Sequence, residues 1–286
     1  MLGSVTRPTP AASGSSLPTS RRYYAWELGI VMALSLGRSA VYSALALAEN
    51  MSLAPLSEQS ATVHSSRSRH ELFDLSYQVL DSLFALAPVA LILYLVFLHG
   101  RNPFRLFGLD LRRPGRDLVT GVGLFAVIGA GTLVVYFLGR NAGITMEMIP
   151  SDLTEHWWTT PTLLLAAVRH ALVEEIIMIA YLFDRARRLW PGSGTDARDS
   201  EPGGRSLSSM WPIIVAAAVL RGVYHLYQGF GPGIGNLLMG LVFGALYVRY
   251  GRIMPLVIAH FLLDAVAFLA FPLVLELSGA AALLSG

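Results

Sequence analysis

Apolar residues in this chain run on for about twenty positions at a time and are parted by short polar stretches. Helices that cross a hydrocarbon layer about 30 Å thick have this pattern. Seven such runs fall at residues 23–48, 75–98, 118–139, 161–183, 211–228, 234–250 and 253–275. The connections hold breakers and charges: Glu49 to Asp74, then RNPFRLFGLDLRRPGRD (101–117), RNAGITMEMIP (140–150) and PGSGTDARDSEPGGRS (191–206). Within the runs, apolar and polar residues do not alternate as they would in barrel strands, so strands are not expected. The predicted fold class is all-α, a polytopic transmembrane helical bundle of seven spans. Residues after Ala270 offer a short eighth span, opposed by Pro272 and Glu276. Residues 1–22 lack the apolar centre of a signal peptide and read as a disordered cytoplasmic tail. Residues 23–139 read as N-terminal transmembrane helices and 271–286 as a C-terminal tail.

Composition agrees with a lipid solvent. Charged residues make up 14% of the 286 positions, against about 25% in soluble domains, and the mean hydropathy is +0.55. The absence of cysteine removes disulfides, thiolate zinc ligands and cysteine nucleophiles together. A net charge of +2 is too small to suggest a nucleic-acid partner. Every basic residue is arginine, and their placement orients the spans. With the N-terminus inside, the inner segments collect Arg21, Arg22, Arg101, Arg105, Arg112, Arg113, Arg116, Arg185, Arg187, Arg188, Arg198, Arg205, Arg249 and Arg252. The outer loops hold Arg67, Arg69 and Arg140, with His64 and His70 expected to be solvated there. An integral, multi-pass protein of a bacterial plasma membrane with a cytoplasmic N-terminus follows as the expectation. Membrane lipids are partners, and the basic inner loops suit anionic head groups.

Ionisable side chains at mid-span cost at least about 2.5–3.5 kcal/mol each, so they mark sites. Residues 161–183 carry Arg169, His170, Glu174 and Glu175; 211–228 carry Arg221 and His225; 253–275 carry His260 and Asp264. Arg221 and His225 are four apart, as are His260 and Asp264, so each pair shares a helix face. At 1.5 Å of rise per residue, the depths from the inner end are about 14 Å for Glu174, 15 Å for Arg221, 21 Å for His225, 11 Å for His260 and 17 Å for Asp264. One shared polar cavity near the middle of the membrane is expected. A carboxylate with two imidazoles there can activate water by general-base catalysis, while a second polar pair stabilises an oxyanion. The same groups offer zinc a ligand set of Glu174, His225 and His260. Other protease signatures are missing: His70-Glu71 continues as Leu-Phe-Asp rather than to a second histidine, and there is no Gly-x-Ser-x-Gly or Gly-x-Gly-Asp.

Glu174-Glu175, then His225, then His260-x-x-x-Asp264 resembles, in order and spacing, the CAAX protease and bacteriocin-processing family of intramembrane endopeptidases (the CPBP or Abi group). The resemblance covers residues 160–270, which it marks as the catalytic core. It implies hydrolysis of a peptide bond in a prenylated or hydrophobic peptide substrate. Glu174 would activate water with His225 assisting, and His260 and Asp264 would form the oxyanion side. Glu175 would support, and no metal or other cofactor would be expected, zinc being the alternative. Relatives cleave after a prenylated cysteine, releasing three residues, process peptides, or act in bacteriocin immunity. The alternative function is therefore a non-catalytic membrane immunity or binding protein, or a proton-coupled transporter. The chain departs from the family pattern in having Ile179 where an arginine is expected and Arg221 in place of an aromatic. Arg221 is accordingly expected against Glu174 or Glu175, and His170 in a structural or proton-relay role.

Overall fold

The computed structural model describes residues 20–189 and 207–277. Arg198 and Arg205, the tail up to residue 19 and residues 278–286 lie outside the described residues. In chain order the elements are α1 (Arg21–Leu34), α2 (Leu36–Leu53), β1 (Ser60–His64), α3 (Glu71–Ala85), α4 (Ala87–Leu98), α5 (Pro103–Phe107), α6 (Pro114–Asn141), β2 (Glu147–Ser151), α7 (Thr159–Glu174), α8 (Leu182–Leu189), α9 (Leu207–Tyr224), α10 (Phe230–Tyr250) and α11 (Met254–Leu277). A π-helical segment, Glu175–Tyr181, joins α7 to α8 without a break in the rod.

The helical bundle is as expected, and the seven-span count is not confirmed among the described residues. By length and composition four segments of the described residues are apolar enough to cross a membrane: Glu71–Leu98, Pro114–Asn141, Leu207–Tyr224 and Phe230–Tyr250. The pair α1 and α2 makes a fifth if counted as one span. Residues 161–183 fall short because their rod is interrupted by the π segment and carries the ionisable groups. The apolar part of α11 is the shorter stretch Met254–Ala270. Pro272 and Glu276 belong to α11 itself, so within 271–277 no separate eighth span begins.

Two other expectations change. Residues 23–48 are not one straight helix but bend by 48° between α1 and α2. Ser35 leaves helical geometry and its Oγ donates to the Val31 carbonyl at 2.6 Å, competing with the helix's own ladder. Gly37 permits the bend, since a Cβ there would stand 2.6 Å from the Met32 carbonyl oxygen. Strands also occur: β1 and β2 pair in parallel with Ser60 opposite Glu147, a small sheet that ties two of the interhelical connections together.

The π segment is the pillar of the core, every residue from Glu175 to Tyr181 being buried. Ile176, Ile177, Met178 and Ile179 pack with Ile92, Ile214 and Phe243 of the surrounding helices. Ionic pairs anchor the pillar's α8 end. Arg185 Nε donates to Glu27 Oε1 at 2.8 Å, as does the Tyr181 hydroxyl, tying α8 to α1. Asp184, 3% exposed, accepts from Arg101 at 3.1 Å and from Arg185 at 2.5 Å. Burial alone would raise its pKa, but Arg188, Arg185, Arg187 and Arg101 hold it well below the usual carboxylate range. Around this pillar α10 packs on α9 and α6, and α11 packs on α6 and α7.

His64, expected in solvent, is buried. Its ring lies 6.0 Å from that of Phe268. Burial, then the charges of Arg169, His170 and Arg67, push its pKa down to about 4. A histidine of the unfolded chain titrates near 6.5, so the unfolded state binds the proton more readily between these values. Stability is therefore complete above about pH 6.5 and is lost as pH falls toward 4. We expect the unfolding temperature of the native protein to drop over that window, and His64→Gln to flatten the drop. An identical pH profile in the variant would contradict the assignment.

Candidate functional site

Neighbouring residues of a helix point about 100° apart, which separates the two adjacent glutamates. Glu174 closes α7, and Glu175 opens the π segment, a helical variant often found at functional sites. Glu175 is completely buried, and its Oε1 accepts from Arg221 Nη1 and from His260 Nδ1, both at 2.7 Å. Glu174 keeps 13% of its side chain exposed; its Oε2 accepts from the Tyr224 hydroxyl at 2.7 Å and lies 3.3 Å from Arg221 Nη2. One guanidinium thus bridges both carboxylates, where the sequence led us to expect it against one or the other.

Close helix packing holds Arg221 in place. It is fully buried on α9, and its guanidinium lies 5.6 Å from the centre of the Phe243 ring on α10. At Gly240 of α10, a Cβ would come within 2.9 Å of the Ala218 Cα and 3.3 Å of the Arg221 Cδ. A glycine is needed there for α10 to lie this near the arginine. Ile179, at the position where the family pattern has arginine, is buried among apolar side chains.

His225 follows the last residue of α9 and its Nδ1 lies 3.0 Å from the Arg221 carbonyl oxygen. A carbonyl only accepts, so Nδ1 carries the hydrogen and Nε2 presents a lone pair. His260 and Asp264 depart from the expected partnership. Their nearest approach is 3.9 Å, too long for a hydrogen bond. Each is held by α7 and its π extension instead: His260 by Glu175, and Asp264 by His170, whose Nδ1 donates to Oδ2 at 2.9 Å. The rotation of α11 against α7 makes these cross-helix contacts shorter than the one along the helix.

These groups surround a cavity of about 780 Å³. Glu174, His225, His260 and Asp264 line it, together with Arg169, His170 and Tyr224; Glu175 and Arg221 do not. Its remaining wall is largely apolar, with Phe125 and Leu133 from α6, Met239 from α10 and Phe268 from α11. The structure therefore sorts the predicted set into a cavity-facing group and a supporting pair behind it. Zinc does not fit as arranged: among the described residues no three histidine, aspartate or glutamate side chains converge on a point where a metal ion would sit. Tyr224 went unnoticed in the sequence, because a tyrosine in an apolar run carries no charge to mark it. His170 was visible as a mid-span histidine, but its attachment to Asp264 depends on helix rotation.

Arg221→Leu would leave Glu175 buried without its cation, a loss of about 3–5 kcal/mol. Tyr224→Phe removes one hydrogen bond to a charged acceptor, about 1.5–3 kcal/mol. Unfolding in detergent micelles should rank Arg221→Leu as the more damaging; the reverse order would contradict this reading of the ion pairs.

Residues 156–266 match the family model described as type II CAAX prenyl endopeptidase, Rce1-like. No curated protein and no solved structure shows a significant match to the chain. The matched segment contains every cavity-lining histidine and carboxylate named above, so this part of the chain is similar to that family, and the apolar helices mark an integral membrane protein.

Proposed function

We propose that this membrane protein is a glutamate-type endopeptidase and that its cavity is the active site. One observation carries the reading: of two adjacent carboxylates on one rod, Glu174 faces the cavity while Glu175 is sealed behind it. A water between Glu174 and the lone pair of His225 Nε2 gives its proton to Glu174 as its oxygen adds to the scissile carbonyl carbon. The tetrahedral oxyanion is met by His260, whose Nε2–H donates when the ring is protonated and whose Nδ1–H is already fixed by Glu175. Glu174 then returns the proton to the leaving amine as the C–N bond breaks. Asp264 steadies His170 and stands opposite His260, so its part is to position imidazoles rather than to donate to the oxyanion.

Arg221 and the Tyr224 hydroxyl hold Glu174 so that its carboxylate need not reorganise during the reaction. The apolar wall suits a hydrophobic or prenylated peptide, and a dry surrounding strengthens every charge interaction at the polar end. The arginine asymmetry supports a start of α1 on the cytoplasmic side of a bacterial plasma membrane. No step is routed through a metal, since the donors do not converge.

Purified protein and a prenylated or hydrophobic peptide test this, with products read by mass spectrometry. Glu174→Gln should lower cleavage by about 10²–10⁴-fold while keeping the native unfolding temperature. Cleavage within a few-fold of native would remove Glu174 as the base. A chelator series on the same assay should leave the rate unchanged, and a loss reversed by added zinc would contradict the metal-free mechanism.

A further inference from the structure

The cavity is lopsided along the bundle: from its polar floor it extends toward the β1–β2 end and not toward the α8 end. On α6 the lining begins at Phe125, about 16 Å in from Pro114, and on α11 at His260, about 9 Å in from Met254. On α10 it begins at Met239, about 16 Å from Tyr250, and runs to Gly231 beside the opposite end. The α7 rod leaves the lining at Glu174, about 22 Å short of Leu189. Val63 of β1 and Met148 and Pro150 of β2 line the far end, whereas among the described residues α1, α4, α5, α8 and the π segment contribute nothing.

Below the floor the bundle is packed shut. A Cβ on Gly121 of α6 would stand 2.6 Å from the Ile258 side chain of α11. One on Gly244 of α10 would stand 3.1 Å from both Ile214 of α9 and Phe183 of α8. Phe107, Phe183, Phe243 and Ile253 are at most 1% exposed. The Ile253 N–H donates to the Phe107 carbonyl at 2.9 Å, which stitches α5 beneath the turn from α10 to α11. Interiors packed this closely leave few voids larger than a water molecule. The same end carries Arg101, Arg185, Arg187, Arg188 and Arg252, gathered on Asp184, Asp110 and Asp117. An arginine-rich end is the cytoplasmic one.

We propose that the cavity is filled from the non-cytoplasmic side and that its substrate is a peptide segment lying in the outer half of the membrane. This rests on the orientation and on the endopeptidase function proposed above. The water that Glu174 activates enters by the same route. A peptide on the cytoplasmic side meets the packed face and reaches Glu174 only after its scissile bond has crossed into the outer half. The arrangement therefore selects an exported or membrane-spanning segment over a cytoplasmic tail.

Because the chain has no cysteine, single cysteines and a membrane-impermeant maleimide test the route directly. The full-length protein is labelled in right-side-out and in inside-out vesicles of the expressing bacterium. Ser65→Cys, in the exposed connection after β1, and Leu111→Cys, in the exposed connection before α6, report the two faces. Asn236→Cys on α10 and Thr132→Cys on α6 report the cavity from two helices, so a folding failure in one leaves the other. Both cavity positions and Ser65→Cys should be labelled only in right-side-out vesicles, and Leu111→Cys only in inside-out vesicles. Cavity cysteines labelled only in inside-out vesicles, or in neither preparation, would overturn the proposal. So would Leu111→Cys labelled from outside, which would show an inverted chain whose cavity opens to the cytoplasm. A water-soluble peptide with an apolar stretch supplies the second readout: native protein should cleave it in right-side-out vesicles, and cleavage confined to inside-out vesicles would contradict the route. Outward labelling together with cleavage that Glu174→Gln leaves intact would uphold the route and remove Glu174 as the base, so the two failures are distinguishable.

Discussion

A guanidinium with no access to water must be neutralised where it stands, and in this protein that requirement organises the centre of the bundle. Arg221 reaches Glu175 at 2.7 Å and Glu174 at 3.3 Å, and His260 closes on the same oxygen of Glu175 at 2.7 Å. Four ionisable groups from three helical rods become one unit. Taking such charges from water costs several kcal/mol per ion, which is recovered only when the geometry is good and removing a partner is punished. The pairing therefore fixes the relative rotation of the α7 rod, α9 and α11. That rotation in turn decides which side chains face the cavity.

The adjacent glutamates show how the constraint sorts two like side chains. Glu175 is consumed by the ion pair and contributes rigidity, with no surface left for a substrate. Glu174 is tethered by Arg221 and Tyr224 on one oxygen, and the residue still lines the cavity. On the proposed mechanism Glu174 is the general base, which must be held in place yet stay accessible, and the buried pair behind it supplies the hold. The family pattern's arginine position is occupied here by Ile179, in apolar packing, and the cation comes from α9 instead. Charge at the right depth matters to this arrangement more than the helix that carries it.

Much of this could be read from the chain, for physical reasons that also mark where the reading stopped. Mid-span charges are costly enough to stand out, so Glu174, Glu175, Arg221, His225, His260 and Asp264 were all singled out, and the need to neutralise Arg221 pointed to the glutamates. Pairing along a helix was a poorer guide: His260 and Asp264 share a face, yet each binds across to α7 or its π extension. Tyr224 escaped because its polarity is hidden within an apolar composition. The bend at Ser35 and the π segment at Glu175 are backbone events that hydropathy does not record, and they reduced the expected count of regular spans. His64 was placed in solvent because loop residues usually are, but packing against Phe268 keeps it buried.

The central claim is that the ion pairs hold Glu174 alone against the reacting bond. The most direct test is a structure of the Glu174→Gln protein with an uncleaved hydrophobic peptide in its lipid or detergent environment. The account predicts the scissile carbonyl between side chain 174 and the His225 Nε2, with Arg221 still bound to Glu175 and out of contact with the peptide. A peptide lying against Glu175 or Arg221, or bound outside the cavity, would contradict it.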